Sequence, residues 1–163
     1  MLINHLKAEL KINASASRVW QIVGHEFAEI ERWSSGIGAS RAATEGKKPE
    51  GCDISGRYCD NIQEELTHYS DEKMRFGYVM VNPPFFLKSI GNNWQVREVG
   101  LDQSIVEFQP EIECSFGWWL ILAPLVRVGG PWMANRVLDE LKYYVETGEP
   151  HPRKAKALSR ATA

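Results

Sequence analysis

The chain has little of what marks several large classes of protein. Its three cysteines are odd in number and lack C-x-x-C spacing, which argues against a disulfide framework and a zinc site. A net charge of -2, with no basic stripe carrying interleaved aromatic residues, gives no reason to expect nucleic acid. No apolar run approaches the ~20 residues that span a bilayer. We therefore expect a globular protein without an integral membrane segment.

Motifs for nucleotide binding and serine hydrolysis are also missing, since G-x-G-x-x-G, G-x-x-x-x-G-K-[ST] and G-x-S-x-G do not occur. The four scattered histidines show no metal-ligand spacing and no pairing with Ser or Cys plus an acid. We expect neither a metal nor a cofactor. The N-terminus alternates like a strand and lacks the apolar core of a signal peptide, so the expected location is cytoplasmic.

The length of 163 residues suits one domain with a substantial core, expected over residues 1–148. Residues 149–163 are short of apolar side chains and are expected to form a flexible basic tail.

Most of the domain is typical of β structure. Apolar and charged residues alternate from Leu6 to Ile12, as in a half-buried strand. Two short helices follow, the first N-capped by Ser15 and ended by Gly24, the second carrying Phe27, Ile30 and Trp33. Six further strands are predicted over residues 37–44, 52–59, 62–69, 71–81, 88–99 and 103–114, with a tight turn at Asp60-Asn61. Sequential strands favour an antiparallel meander.

One long amphipathic helix is predicted from Pro131 to Gly148. Its apolar residues form one stripe, while Asp139, Glu140 and Lys142 face away. The stripe consists of Ala134, Val137, Leu138, Leu141 and Val145. Because a single helix has to cover a wide curved sheet, we expect an internal apolar cavity. The alternative is a core filled completely by side chains.

Residues Trp118–Val126 carry no charge over nine positions. We interpret them as a buried helix or a lid packed over the sheet. A membrane contact or a subunit interface, such as that of a homodimer, is the alternative.

The element order and several motifs resemble the helix-grip fold of the SRPBCC and START-like superfamily. I-N-A-S-A-S-R-V-W-Q-I-V, Ile12 to Val23, is similar to its strand-to-helix junction, in which a small residue precedes a V-W pair. Trp33 stands where a tryptophan commonly closes the second helix. Ile62 to Ser70 followed by Tyr78 is similar to its E-x-L…D…Y strand pair, and Leu141 to Gly148 to the end of its gripping helix.

The resemblance covers residues 2–148 and implies an α+β fold. In it, about seven antiparallel strands wrap around a long C-terminal helix, with two short helices between strands 1 and 2. The superfamily includes START-related lipid-transfer domains, pollen-allergen-like proteins and polyketide cyclase/dehydratase-like proteins. The segment Gly51-Cys52-Asp53-Ile54 departs from it, because many relatives carry an arginine at the fourth position. An anion-pairing role for that arginine does not carry over.

Glu64 is the first candidate for chemistry. Alternation places Ile62, Glu64, Leu66 and His68 on one face, and the two apolar residues indicate that it is the inner face. A buried carboxylate is costly unless paired, so Glu64 could donate or accept a proton. Alternatively, Glu64 is tied to a nearby Tyr, Trp N–H or Arg and serves structure alone.

Tyr78 and Asn92 also fall on apolar faces, where a few polar groups orient a small ligand. Alternatively, each is a core residue with its polar end satisfied. The predicted ligand-binding residues are Trp33, Glu64, Met74, Phe76, Tyr78, Met80, Asn92, Trp94, Phe108, Met133 and Val137.

Three functions are compatible with these patterns, in order of preference. The first is a carrier or sensor of a small hydrophobic ligand, such as a lipid, an isoprenoid or an aromatic compound. The second, which the resemblance allows, is an enzyme of the polyketide cyclase, aromatase or dehydratase type in which Glu64 and Tyr78 transfer protons. The third is an interaction protein whose apolar segment contacts a membrane or a partner.

Overall fold

A computed structural model describes residues 2–3 and 6–161, and within them eight strands form one antiparallel sheet. The strands are β1 (Leu2–Ile3), β2 (Ala8–Ile12), β3 (Ser40–Ala43), β4 (Gly56–Cys59), β5 (Ile62–Ser70), β6 (Arg75–Met80), β7 (Leu87–Gly100) and β8 (Gln103–Cys114). From β3 to β8 each strand pairs with the next in the chain, which confirms the predicted meander. Both β1 and β2 pair with β8 and form the edge of the sheet on that side.

Four strands are shorter than the alternation predicts, and one of them is β2, which begins at Ala8 rather than at Leu6. The strands β3 and β4 occupy only parts of residues 37–44 and 52–59. The strand expected from Asp71 begins at Arg75, because residues 71–74 form a turn in which the Met74 N–H donates to the Asp71 carbonyl at 3.2 Å. Met74 has a φ of 45°, a conformation that a strand does not contain.

The first short helix, α1, spans Ala16–Trp20, and Ser15 caps it as predicted by accepting from the Arg18 N–H at 3.3 Å. A π-helical turn, Gln21–His25, continues from α1 and runs through Gly24. Gly24 therefore does not end the helix. A Cβ at this position would lie 2.6 Å from the Trp20 ring, so packing against that ring requires a glycine.

The predicted second short helix is present over Phe27–Arg32 as a 3₁₀ helix, and Trp33 directly follows its last residue.

The long helix, α2, spans Phe116–Thr147 and therefore begins fifteen residues before the predicted start at Pro131. The inward stripe is confirmed, with four buried members, Ala134, Leu138, Leu141 and Val145, and a partly buried Val137. Gly148, at a φ of 79°, ends the helix by donating to the Tyr144 carbonyl at 2.8 Å. The expectation that Glu140 faces away is wrong, since only 2% of this residue is exposed.

The Glu140 carboxylate is buried because it connects α2 to the segment after the 3₁₀ helix. It accepts from the Ser35 backbone N–H at 2.8 Å and from the Ser35 hydroxyl at 2.6 Å. Arg136 donates to the same carboxylate at 3.3 Å. Helical periodicity alone does not reveal a carboxylate that another segment satisfies.

The N-terminal half of α2 is much more exposed than its C-terminal half. Residues Trp118–Val126, interpreted as buried, include Leu120, Ile121 and Leu125, each exposed by more than half. The interpretation as a buried helix is therefore wrong, because little of the fold covers this half of α2. Among the residues described, no helix is long and apolar enough to cross a membrane.

Residues Pro152–Ala161 form a third helix, α3, where the sequence predicts a loose tail. Its first turn is anchored to the domain, because Arg153 pairs with Asp139 and the Lys154 ammonium donates to the Ile37 carbonyl. These polar contacts attach the start of α3 to the domain. The boundary of the domain at residue 148 remains a prediction.

The core lies between the inner face of the sheet, the short helices and the C-terminal half of α2. Aromatic rings fill one end of this space. The ring centroids of Trp94 and Phe108 are 4.6 Å apart, and those of Phe27 and Phe76 are 5.2 Å apart. Phe76 also stacks on Trp94 at 6.2 Å. These rings form one aromatic cluster in the core, and the internal cavity expected from the sequence stays a prediction.

Candidate functional site

The register of the sheet places several predicted site residues side by side on its inner face. Tyr78 of β6 lies opposite Leu66 on one side and Asn92 on the other. In the next inward row, Met80 lies opposite Glu64. Tyr78 and Leu66 are buried, whereas Glu64, Met80 and Asn92 are half-buried. The inner face therefore changes from closed to partly open along β6.

A buried ion pair dominates the polar chemistry of this face. The Arg57 Nε lies 2.6 Å from the Glu64 Oε2, and the side chains are exposed by 5% and 16%. A second guanidinium nitrogen of Arg57 donates to the Phe27 carbonyl at 2.8 Å. The guanidinium carbon lies 4.0 Å from the Phe27 ring centroid and 4.9 Å from that of Tyr78. Glu64 therefore follows the alternative interpretation, a carboxylate tied to an arginine.

The charges of the pair also act on the neighbouring phenol. Burial first, and then the negative charge of Glu64, raise the pKa of Tyr78 to about 12, against a lowering by Arg57. Burial opposes the charge of Arg57, but Tyr78 and Glu64 together raise the pKa of Arg57 above its ordinary value. At neutral pH the guanidinium is therefore charged, and Tyr78 keeps its proton.

Trp94 adds a hydrogen-bond donor to the inner face. Its indole N–H is buried and has no hydrogen-bond partner of normal geometry. A weak interaction with this indole is one of the smaller influences on the pKa of Tyr78. The N–H is therefore only weakly satisfied, and a buried donor in this state favours binding of a further acceptor.

The remaining predicted site residues divide by burial. Trp33, Phe76 and Phe108 are buried in the core, and Met74 and Val137 pack against it in part. Met133 is 60% exposed, and it lies on a different side of α2 from its neighbour Ala134, which is 3% exposed. The structure therefore brings together the predicted residues of the sheet but leaves Met133 apart from them.

His68 is on the opposite face from the one predicted. The register of β5 against β6 shifts between Leu66 and His68, so Thr67 is an extra residue and reverses the alternation. His68 lies over Gly77 on the outer face, where burial and the charge of Arg75 lower its pKa. Ile62, at the start of β5, is 39% exposed. Of the four residues predicted on the inner face of β5, Glu64 and Leu66 lie there, whereas His68 does not and Ile62 is exposed.

Arg57 is the residue that the sequence analysis missed, although a signal for it exists. The predicted Asp60-Asn61 turn is present and places Cys59 opposite Ile62. Two residues further along each strand, Arg57 is opposite Glu64. Reading the register back from that turn would have paired the carboxylate with its arginine.

A separate polar cluster lies around Asp71, at the start of the turn before β6. One oxygen of Asp71 accepts from the Trp20 indole at 2.7 Å and from the Tyr69 hydroxyl at 2.9 Å. The His25 Nε2 lies 2.8 Å from the same oxygen. These hydrogen bonds, that of Trp20 foremost, lower the pKa of Asp71. The cluster is partly exposed and connects the turn to α1.

Two cavities open on the outside of the domain. One, of about 420 Å³, lies between β2, α2 and the first turn of α3. The other, of about 250 Å³, lies on the outer face of the sheet beside His68. Both are open to solvent and separate from the inner face that carries the Arg57–Glu64 pair.

An antiparallel sheet closed by short helices and gripped by a long C-terminal helix, with an aromatic inner face, defines a helix-grip protein. The chain matches the family described as polyketide cyclase / dehydrase and lipid transport over residues 5–146, and it belongs to that family. This confirms the predicted resemblance. No curated protein matches the chain.

Solved structures share the fold at low sequence identity. The protein XoxI from Bacillus cereus superimposes with a TM-score of 0.67 at 22% identity, over 91% of this chain and 99% of that one. A START superfamily protein from Mycobacterium smegmatis gives a TM-score of 0.69 at 13% identity, over 86% and 96%. A norcoclaurine synthase from Thalictrum gives 0.63 at 14%, over 89% and 93%. At these identities the likeness concerns the fold alone.

Proposed function

We propose that the protein binds a small hydrophobic molecule carrying one polar end, as a carrier or a sensor, between the inner face of the sheet and α2. The observation that carries this proposal is the buried indole N–H of Trp94, which has only the Tyr78 hydroxyl as a nearby acceptor within the described part of the chain and does not reach it with normal hydrogen-bond geometry. An oxygen of a ligand at this position would satisfy the donor and remove its desolvation cost. The half-buried Met80 and Asn92 lie towards the open side of the same face.

The charges of the site favour a neutral ligand. The positive charge of Arg57 is already compensated by Glu64, so it is not available to an anion without breaking the pair. Tyr78 and Trp94 both present donors at neutral pH, and Asn92 can donate or accept. A carbonyl or hydroxyl group on a lipid, an isoprenoid or an aromatic compound fits these groups. The family description, which includes lipid transport, supports the same class.

The enzymatic alternative depends on Glu64 and Tyr78. Glu64 is ion-paired with Arg57, and Tyr78 holds its proton far above neutral pH, so neither group is arranged as a free base. We therefore propose binding in preference to proton transfer.

Native mass spectrometry of freshly purified protein, followed by extraction, tests the proposal directly. We expect a bound apolar compound of low mass. Trp94→Phe removes the N–H but keeps a ring, so affinity for the extracted compound should fall about tenfold, the value of one hydrogen bond. Trp118→Phe, which changes an indole on α2, is the matched control and should bind normally. Spectra that show only the empty chain, or equal affinities for all three proteins, would contradict the proposal.

A further inference from the structure

Apolar residues are exposed on several sides of α2, Phe116, Leu120 and Met133 among them, and five others form an ordered stripe. The side chains that form it are exposed by 37%, 57%, 64%, 83% and 66% and are, in order, Trp118, Ile121, Leu125, Val128 and Trp132. They follow one another at intervals of three, four, three and four residues. This is the heptad spacing by which one helix packs against another. We call these five residues the outer stripe.

The outer stripe lies on a side of α2 that the domain leaves largely uncovered, with ring contacts from Phe85 and Phe86 to Trp118 at one end. Trp132 is 66% exposed, whereas Ala134, two residues and roughly 200° further around the helix, is 3% exposed and packs in the core. Arg127, the one charged residue between Phe116 and Met133, falls off the stripe. The heptad continues into Asn135 and Asp139, and Asp139 pairs with Arg153 of α3. The stripe therefore ends where α3 begins to cover the helix.

We propose that the outer stripe is the contact between two copies of this chain, arranged as antiparallel helices about a twofold axis near Leu125. The stripe is almost symmetric about this residue, since Trp118 and Trp132 lie seven positions to either side of it. An antiparallel arrangement therefore places Trp118 of one copy near Trp132 of the other. Such a surface is complementary to itself, as a twofold interface requires.

The available area is sufficient for this contact. Large side chains offer roughly 150–250 Å² each, so the exposed fractions leave on the order of 100 Å² per stripe residue. Two facing stripes would then bury about 1,000 Å², the lower limit of a specific interface. Phe85 is 89% exposed and contacts Trp118 at 6.0 Å between ring centroids, so it extends the apolar surface at one end. A lipid surface would require an apolar face but not heptad spacing.

The oligomeric state in solution tests the proposal. Sedimentation velocity of the full chain should show a dimer that dissociates on dilution. Leu125→Glu should be monomeric throughout, with unchanged circular dichroism and thermal midpoint of the monomer. Leu101→Glu is the matched control, because Leu101 is 89% exposed in the turn between β7 and β8. This variant should remain a dimer.

A cysteine placed on the axis gives an independent measurement. Under mild oxidation Leu125→Cys should form a disulfide-linked dimer, while Leu101→Cys and the wild-type chain should not. A monomer at every concentration, or a dimer that survives Leu125→Glu, would overturn the proposal. Monomeric protein that floats with phosphatidylcholine vesicles, and loses this binding in Leu125→Glu, would overturn it in favour of a lipid surface.

Discussion

The buried guanidinium of Arg57 shows how the interior of this domain tolerates a full charge. An isolated ion would be very costly inside the sheet, but Arg57 has a carboxylate, a backbone carbonyl and two aromatic rings around it. Each of these contacts satisfies part of its donor capacity or its charge. The stability of the site depends on both members of the pair being present.

We predict strong coupling between Arg57 and Glu64. Arg57→Met leaves the carboxylate without its cation and should lower the free energy of unfolding by about 3 kcal/mol, the low end for a buried pair, because Glu64 is 16% exposed. Glu64→Gln should also destabilise. The double variant should lose at least 1 kcal/mol less than the sum of the two single losses. Urea unfolding of the four proteins measures the coupling, and strict additivity would show that the pair contributes nothing.

Asp71 contributes to the stability of the folded chain in a way that depends on pH, and the direction of this dependence follows from its lowered pKa. Its pKa in the folded chain is lowered from 3.8, foremost by the hydrogen bond from Trp20. A lowered pKa stabilises the folded state above 3.8, and this contribution disappears as the pH falls through the folded value. The stability advantage of wild type over Asp71→Asn should therefore shrink in acid. Urea midpoints of both proteins, measured at neutral pH and at a pH well below 3.8, give the comparison.

The same advantage at both pH values would mean that Asp71 acts only through hydrogen bonds that its amide replacement cannot make. Because the Asp71 side chain is 57% exposed, solvent screens the charge, and we expect a modest effect.

At the scale of elements, α2 consists of two halves with different tasks. The C-terminal half packs its stripe into the core, and the N-terminal half presents apolar residues outwards. The sequence pattern of the first half, uniformly apolar over nine residues, predicts burial. The pattern does not specify which surface covers these residues, and the domain itself leaves them exposed.

We predict that truncations in the two halves differ in cost. Leu138→Ala removes a fully buried side chain and should lower the free energy of unfolding by about 2–5 kcal/mol. Leu125→Ala removes one that is 64% exposed and should change it by no more than about 0.5 kcal/mol. Chemical denaturation at low protein concentration, where copies are separate, is the appropriate measurement. Similar losses would mean that the N-terminal half is buried in the monomer.

Strands were predictable to the extent that alternation is regular. The strand β8 has the bounds that the pattern predicts, because apolar and polar residues alternate regularly over most of it, from Val106 to Cys114. The prediction failed locally at β5, where the extra residue Thr67 reverses the facing of His68. A bulge of this kind has no clear signal in one sequence, since both registers leave a plausible pattern.

At the scale of the whole molecule, ligand binding and folding are linked. A compound that binds only the folded chain raises its stability by an amount set by concentration and affinity, about 2.7 kcal/mol at one hundred times Kd. We predict that removing the co-purified compound lowers the thermal midpoint and that adding it back restores the midpoint. Calorimetry of the native, stripped and reloaded protein measures this. Identical midpoints would show that the compound does not bind specifically to the folded chain.

The overall architecture followed from the order and spacing of elements, whereas the chemistry of the inner face did not. Alternation placed Tyr78 and Glu64 inwards, but Arg57 became relevant only through its pairing across the hairpin. Long-range contacts, such as that of Glu140 with Ser35, are likewise invisible to local patterns. A single sequence describes the walls of the site better than the polar groups that make it selective.

The hairpin between β4 and β5 connects a surface loop to the electrostatics of the interior. Its two residues are held in place, because the Asp60 carboxylate accepts from the Gly38 and Ala39 backbone N–H groups. Lengthening most exposed loops by one amino acid is cheap. Here such an insertion would shift the register of β4 against β5 by one residue. The Arg57 side chain would then point to the other face of the sheet and leave Glu64 without its counterion. The length of a solvent-exposed turn therefore determines whether the Arg57–Glu64 pair forms inside the domain.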